Sequence, residues 1–323
     1  MSLQAFSPKH YQRGFTLIEL MISLVLGLLI SAAVMQVFLT SQRVDRVQTA
    51  GSEIQDKAVF GLQSIEPEVR LANLGNAGVP LNDKTAMGGI VLTAGDMKAT
   101  NVNLNTKNKL ENKYLTQSSK ANDWSGISNT NKGSDQLTIQ YTNTTGQTLH
   151  DCEGKPIIAN ERVIMRYFMT EDSVKTNLAR KNLNLNCDAG RIEKDGDDYV
   201  IKDFGSGQNG ETLIQNIEQF NVRLGIQRSV VNNGNLTYEY ADMTVAEYMA
   251  LTDKPYITNI KITILTRSTA NSPENSAESF TIFGENQTLK SQDKPPNYLR
   301  RVYETNILLR NARIMRVIDS STS

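Results

Sequence analysis

Apolar positions fall into three regimes along this chain. From Phe15 to Leu39 they are nearly continuous, 25 residues with a single charge at Glu19 and, beyond it, only Ser23, Gly27, Ser31 and Gln36 as breaks. At 1.5 Å per residue a helix of that length reaches roughly 37 Å, enough to cross a bilayer. Between Val44 and Val69 the apolar positions thin to a stripe, Val44, Val47, Gly51, Ile54, Ala58, Leu62, Ile65 and Val69, spaced three or four apart. That is one face of a helix. The spacing predicts that the same helix continues to about Glu66, where Pro67 kinks or ends it.

From Leu137 the period changes to two. Leu137, Ile139 and Tyr141 alternate with Thr138, Gln140 and Thr142, which predicts a half-buried strand. Further strands are expected at Val163–Met169, Tyr199–Asp203, Phe220–Gln227, Ile257–Thr266, Ser279–Phe283 and Val302–Leu309. Thr244 and Glu247 form a capping-box pattern ahead of a short helix ending near Leu251. Pro295-Pro296 marks a turn before the last strand. Residues 73–135 hold few apolar runs and eight asparagines between Asn101 and Asn131. This segment is expected to form long surface loops that bury little core, with one short strand around Gly89–Thr93 and Trp124 as an anchor. The fold class is therefore α+β, a long N-terminal helix packed on an antiparallel sheet.

Charge changes the picture little: 34 basic and 34 acidic residues give a neutral chain of 323. A nucleic-acid partner held by bulk charge is not expected. Basic residues do not orient the apolar span, since Lys9 and Arg13 precede it while Arg43 and Arg46 follow. Catalysis has little to draw on. There are two histidines, His10 and His150, and no serine or cysteine in a recognisable nucleophile setting, so no enzyme activity and no cofactor are expected. The Asp195-Gly-Asp-Asp198 cluster with Glu193 offers carboxylates to calcium, but its spacing does not fit a twelve-residue calcium loop, and Asp-Gly is also a hairpin signal. Asn235-Leu-Thr reads as an ordinary loop triplet.

The N-terminal motif is more informative. Gly14-Phe-Thr-Leu-Ile-Glu19-Leu follows a polar prefix and opens the apolar run, an order unlike a secretory signal peptide. It resembles the type III prepilin leader junction of type IV pilins. The resemblance implies that a prepilin peptidase cuts between Gly14 and Phe15, that the new amine of Phe15 is methylated, and that Glu19 docks subunits by pairing with a neighbour's terminal amine. A glutamate that only snorkels to the headgroups is the competing reading. On this reading residues 1–14 are leader, 15–39 a transmembrane and fibre-core helix, 40–70 an amphipathic helix on the sheet, and 71–323 a periplasmic body, the whole lollipop-shaped. Major pilins usually carry a proline early in the mature helix. Its absence between Phe15 and Glu66 points to an accessory subunit.

Three later segments, Gly133-Ser-Asp-Gln-Leu-Thr-Ile-Gln-Tyr141, Asp151-Cys-Glu-Gly154 and the C-terminal run from Leu299 through Leu308-Leu-Arg-Asn311, resemble the PilW family of minor pilins. That resemblance implies anchoring in the bacterial inner membrane and a tip or priming complex with other minor pilins, the major pilin and a tip adhesin, serving adhesion and twitching motility. A minor pseudopilin of a type II secretion system shares the same plan. A tip module that binds a ligand or DNA is the alternative from another class. In an oxidising compartment Cys152 and Cys187 are expected to form a disulfide closing a loop of about 35 residues, with a metal or thiol site at His150-Asp-Cys152 as the rival.

Overall fold

A computed structural model describes residues 14–76, 79–119, 126–172, 174, 177–205, 210–232, 235–272 and 277–312; Trp124 lies outside them. Contacts divide the chain into two compact units, one ending at Thr49 and one starting at Ala50. A single helix, α1 (Leu17–Arg70), supplies the first unit and enters the second. Pro67 does not end it as expected. It sits in the last turn, where a missing N–H removes one hydrogen bond and only one further turn has to follow.

In the first unit the helix residues are almost all exposed, including the large apolar ones from Leu17 to Leu39. In the second unit the stripe Ala50, Ile54, Ala58, Leu62, Ile65 and Val69 is buried. Gly61 makes the closest approach: a Cβ there would lie 2.3 Å from Cγ1 of Ile214. Only glycine lets the helix come so near the sheet.

Two larger antiparallel sheets form most of the body, beside three two-stranded sheets among the described residues, including the pair Ser279–Ile282 and Glu285–Thr288. The first holds β1 (Leu137–Thr142), β2 (Arg162–Glu171), β3 (Leu183–Asp195) and β4 (Asp198–Lys202) in that order, with β5 (Glu211–Gln215) also paired to β3. The second holds β6 (Ile217–Asn232), β7 (Asn235–Met243), β8 (Tyr256–Asn271) and β9 (Tyr298–Leu308) in the order β7-β6-β8-β9. The chain passes from one sheet to the other through Asn216 at φ 61°, a left-handed conformation that asparagine tolerates. Between β7 and β8 lies α2 (Val245–Ala250), whose capping box pairs Thr244 with Glu247 as expected. One core joins the helix stripe to both sheets, with Tyr167, Phe220, Ile262 and Ile307 at its centre.

Alternation finds most strands but misjudges β1. Thr138 and Gln140 are as buried as Leu137 and Ile139, so both faces of the strand are covered. Residues 79–119 supply the cover, which corrects their reading as surface loops that bury little. Leu81, Ile90, Val91, Leu92, Leu104 and Leu115 are buried there, together with Asn103 and Thr116. Regular strand is scarce in the segment: Ala94–Gly95 pairs in parallel with Leu104–Asn105, and the expected strand at Gly89–Thr93 is an isolated bridge from Ile90 to Ile139.

Carboxamides take the place of a strand ladder. The side chain of Asn103 accepts from Leu92 N at 3.1 Å and donates to Asn82 O at 2.7 Å. Asn73 accepts from Gly89 N, and Gln140 donates to Gly88 O. An amide side chain offers the same donor and acceptor as a peptide group, so these residues satisfy buried backbone without regular structure.

Candidate assembly site at the head of the first helix

Gly14, Phe15 and Thr16 precede the first helical residue, Leu17. Nothing lies within 4 Å of where a Gly14 side chain would begin, and Phe15 is 85 % exposed. The residues before Gly14 fall outside the described ones.

Glu19 stands in the first turn of α1 and is held by its own chain. Its Oε2 accepts from the backbone N–H of Thr16 at 3.1 Å and from the Thr16 hydroxyl at 3.0 Å. In return the Thr16 hydroxyl accepts from the N–H of Glu19 at 3.3 Å. The pair is a capping box, Thr16 at the N-cap and Glu19 three residues on, and it satisfies two helix-end donors where they meet an apolar environment. Sequence reasoning found this pattern at Thr244 and Glu247 and missed it here, although Thr-x-x-Glu is printed in both places. The partial positive charge of the helix end favours the carboxylate further. The anion therefore has a local partner, one residue away from the atom that becomes a terminal amine if the chain is cut after Gly14.

The other anticipated sites resolve differently. Cys152 and Cys187 are joined, with Cα atoms 6.1 Å apart. Cys187 lies in the middle of β3, so the bond ties a central strand to the loop before Lys155. Asp195 and Asp198 face each other at the β3–β4 turn, Gly196 takes φ 67°, and Asp195 pairs with Lys107 at 3.2 Å, the geometry of a hairpin tip. His150 is exposed on the short strand Leu149–His150, which pairs with Pro156–Ile157. No group of three or more metal-ligating side chains occurs among the described residues.

Sequence reasoning passed over one ionisable residue. Glu68, near the end of α1, is hydrogen-bonded by the hydroxyl of Tyr167 from β2. Burial raises its pKa to about 7; the Tyr167 hydrogen bond opposes the rise and the negative charge of Asp151 adds to it. The acid faces the sheet between Ile65 and Val69, so helical periodicity alone could have flagged it as flanking the buried stripe.

Comparison with known proteins agrees with the head of the helix. The prokaryotic N-terminal methylation motif matches residues 9–35, and the family described as type IV pilus-assembly protein W, PilW, matches residues 166–311. No curated protein matches the chain. Among solved structures it is similar to a type IV-like pilin from Thermus thermophilus, at 11 % identity and a TM-score of 0.36 over 80 % of this chain and 98 % of that one. The methylation motif overlaps the start of a helix, Leu17–Arg70, that is long and apolar enough to cross a membrane, which fits anchoring in the inner membrane and association with a pilus. The chain thus carries a prokaryotic N-terminal methylation motif at its head and, over residues 166–311, a match to the PilW family of type IV pilus-assembly proteins.

Proposed function

We propose that the protein is a minor pilin that joins other minor pilins in a priming or tip complex, and so supports pilus assembly, adhesion and twitching motility. The observation that carries this reading is the first part of α1. Every apolar residue there is exposed, and Glu19 is the one charge among 25 residues. Such a rod is stable in lipid or among other apolar rods, and movement from one to the other keeps the same surface buried.

Cleavage after Gly14 frees the Phe15 amine for methylation, and the amine of a neighbouring subunit then competes with Thr16 for the Glu19 carboxylate. A cation is the stronger partner at low dielectric, so the exchange sets axial register between subunits. The PilW domain supports a pilus over a type II secretion pseudopilin.

Glu19→Ala should leave the protein in the membrane fraction and deplete it from sheared fibres, read by immunoblot of both fractions. Undiminished recovery in fibres would remove the docking role. Gly14→Leu should preserve the prefix, and mass spectrometry of the purified protein would find the N-terminus unshortened.

A further inference from the structure

A polar cavity opens where the two sheets of the body meet. Its volume is about 260 Å³, and its lining includes the carboxylate of Asp172 with Asn182, Asn184, Gln215, Asn216, Arg267 and Tyr298. Drug-sized ligands occupy about 300–1,000 Å³, so this space suits a smaller molecule, of the order of one ring.

The floor is fixed. Arg267 is 5 % exposed, donates from Nη2 to Oδ1 of Asn182 at 2.7 Å and from Nη1 to Ser268 O at 3.1 Å, and sits 4.1 Å from the centre of the Tyr298 ring. Behind it Glu218, 1 % exposed, lies 3.6 Å from Nε of Arg267 and accepts from Nε of Arg300 at 3.0 Å. The guanidinium is thus already paired and acts as a rigid wall rather than as a free cation for an anionic ligand.

The carboxamides around it are half engaged. Asn182 uses its oxygen on Arg267, and Asn184 uses its oxygen on the N–H of Asn216 at 3.3 Å. Asn216 spends its amide nitrogen on the Thr269 hydroxyl at 3.1 Å. The NH₂ groups of Asn182 and Asn184, the side-chain oxygen of Asn216 and the carboxamide of Gln215 remain beside an aromatic ring, with the Asp172 carboxylate adding an acceptor-rich, anion-repelling edge. A hydroxyl both donates and accepts, and matches either end of a carboxamide; the C–H face of a ring of hydroxyls packs on an aromatic side chain.

We propose that this cavity binds one neutral pyranose ring. The proposal stands apart from the reading of the protein as a pilin subunit and is tested without a pilus.

The full chain would be solubilised in lauryldimethylamine oxide, which has no sugar headgroup. Saturation-transfer NMR would then be recorded with glucose, galactose and N-acetylglucosamine, and with glycine as a zwitterion of similar polarity. At least one sugar should receive saturation and glycine none. Gln215→Trp, an exposed position at the rim, should weaken that sugar by about tenfold or more. Tyr298→Leu should weaken it too, while Tyr240→Ala on β7 should leave it unchanged, with circular dichroism confirming the fold of each variant. Absence of transfer to every sugar, transfer to glycine alone, or equal binding by Gln215→Trp would overturn the proposal.

Discussion

The two stretches of α1 are one secondary-structure element with opposite solvent logic. Before Thr49 the helix exposes Leu17, Ile22, Leu26, Ile30 and Phe38 and carries a single charge as far as Leu39. From Ala50 onward it carries charges on one side, including the largely half-buried pairs Lys57–Glu53 and Arg70–Glu66, and buries Ile54, Ala58, Ile65 and Val69. Burying a side chain such as Leu or Ile contributes about 1.5–3 kcal/mol. In the second stretch that stabilisation is realised within the chain. In the first it awaits another medium, which is what an exposed apolar surface of this size signifies. Helix formation and apolar content are therefore separable: the pattern of apolar positions, rather than their number, decides whether a helix completes its own body or needs surroundings.

The sharpest test of that contrast is the same truncation made twice. Ile65→Ala should lower the unfolding free energy of the detergent-solubilised chain by about 2–5 kcal/mol, since it empties a core site. Ile22→Ala should change that unfolding by less than about 0.5 kcal/mol. A comparable loss at both sites, followed by near-ultraviolet circular dichroism on denaturation, would end the distinction.

A smaller effect concerns Glu68. Its folded pKa of about 7 lies above the ordinary value of 4.5, so the folded state holds the proton more tightly. The stability this provides is fully present below about pH 4.5 and is lost as pH rises through 7, of the order of 3 kcal/mol in all. Glu68→Gln should flatten thermal stability between pH 5 and 8, and an unchanged pH dependence would show that the acid is not coupled to folding. Asp135, raised to about 6 by burial, works in the same direction at lower pH and would persist in the variant.

The smallest effect compares the two capping boxes. Thr244→Ala should cost the body about 1 kcal/mol. Thr16→Ala should leave body unfolding untouched and accelerate amide exchange only in the first turn of α1.

Much of this architecture is legible in the residues because the physics involved is local. The period of three to four over Ile54–Val69 gives the packed helix face, and strict alternation at Phe220, Val222, Leu224 and Ile226 gives β6. What escapes is set by residues far apart in sequence. β3 reads Leu-Asn-Leu-Asn-Cys-Asp-Ala-Gly, and its asparagines and aspartate argue against a strand by propensity. In the fold Asn186 and Asp188 are buried, with Asp188 bonded to Arg166 of β2 at 3.0 Å, while Asn184 is half-buried. Residues 79–119 mislead in the same way. Polar composition usually means exposure, but Asn73, Asn103 and Gln140 use their amides as backbone substitutes, and no periodicity advertises that. At the candidate site Gly14, Phe15 and Glu19 were visible as a motif. The Thr16 cap was visible too, but its significance emerges only when the acid is seen to have a partner within its own chain.

The cystine has a temporal meaning. Cys187 has no exposure and occupies a central strand, while Cys152 is half-buried, so a reductant meets the bond from the Cys152 side. Cytosolic thiols are kept reduced, so on this chain the link forms only once the body has left the cytosol. The bond then acts as a latch: it records that export has happened, and it holds the loop before Lys155 to the central strand of the finished body.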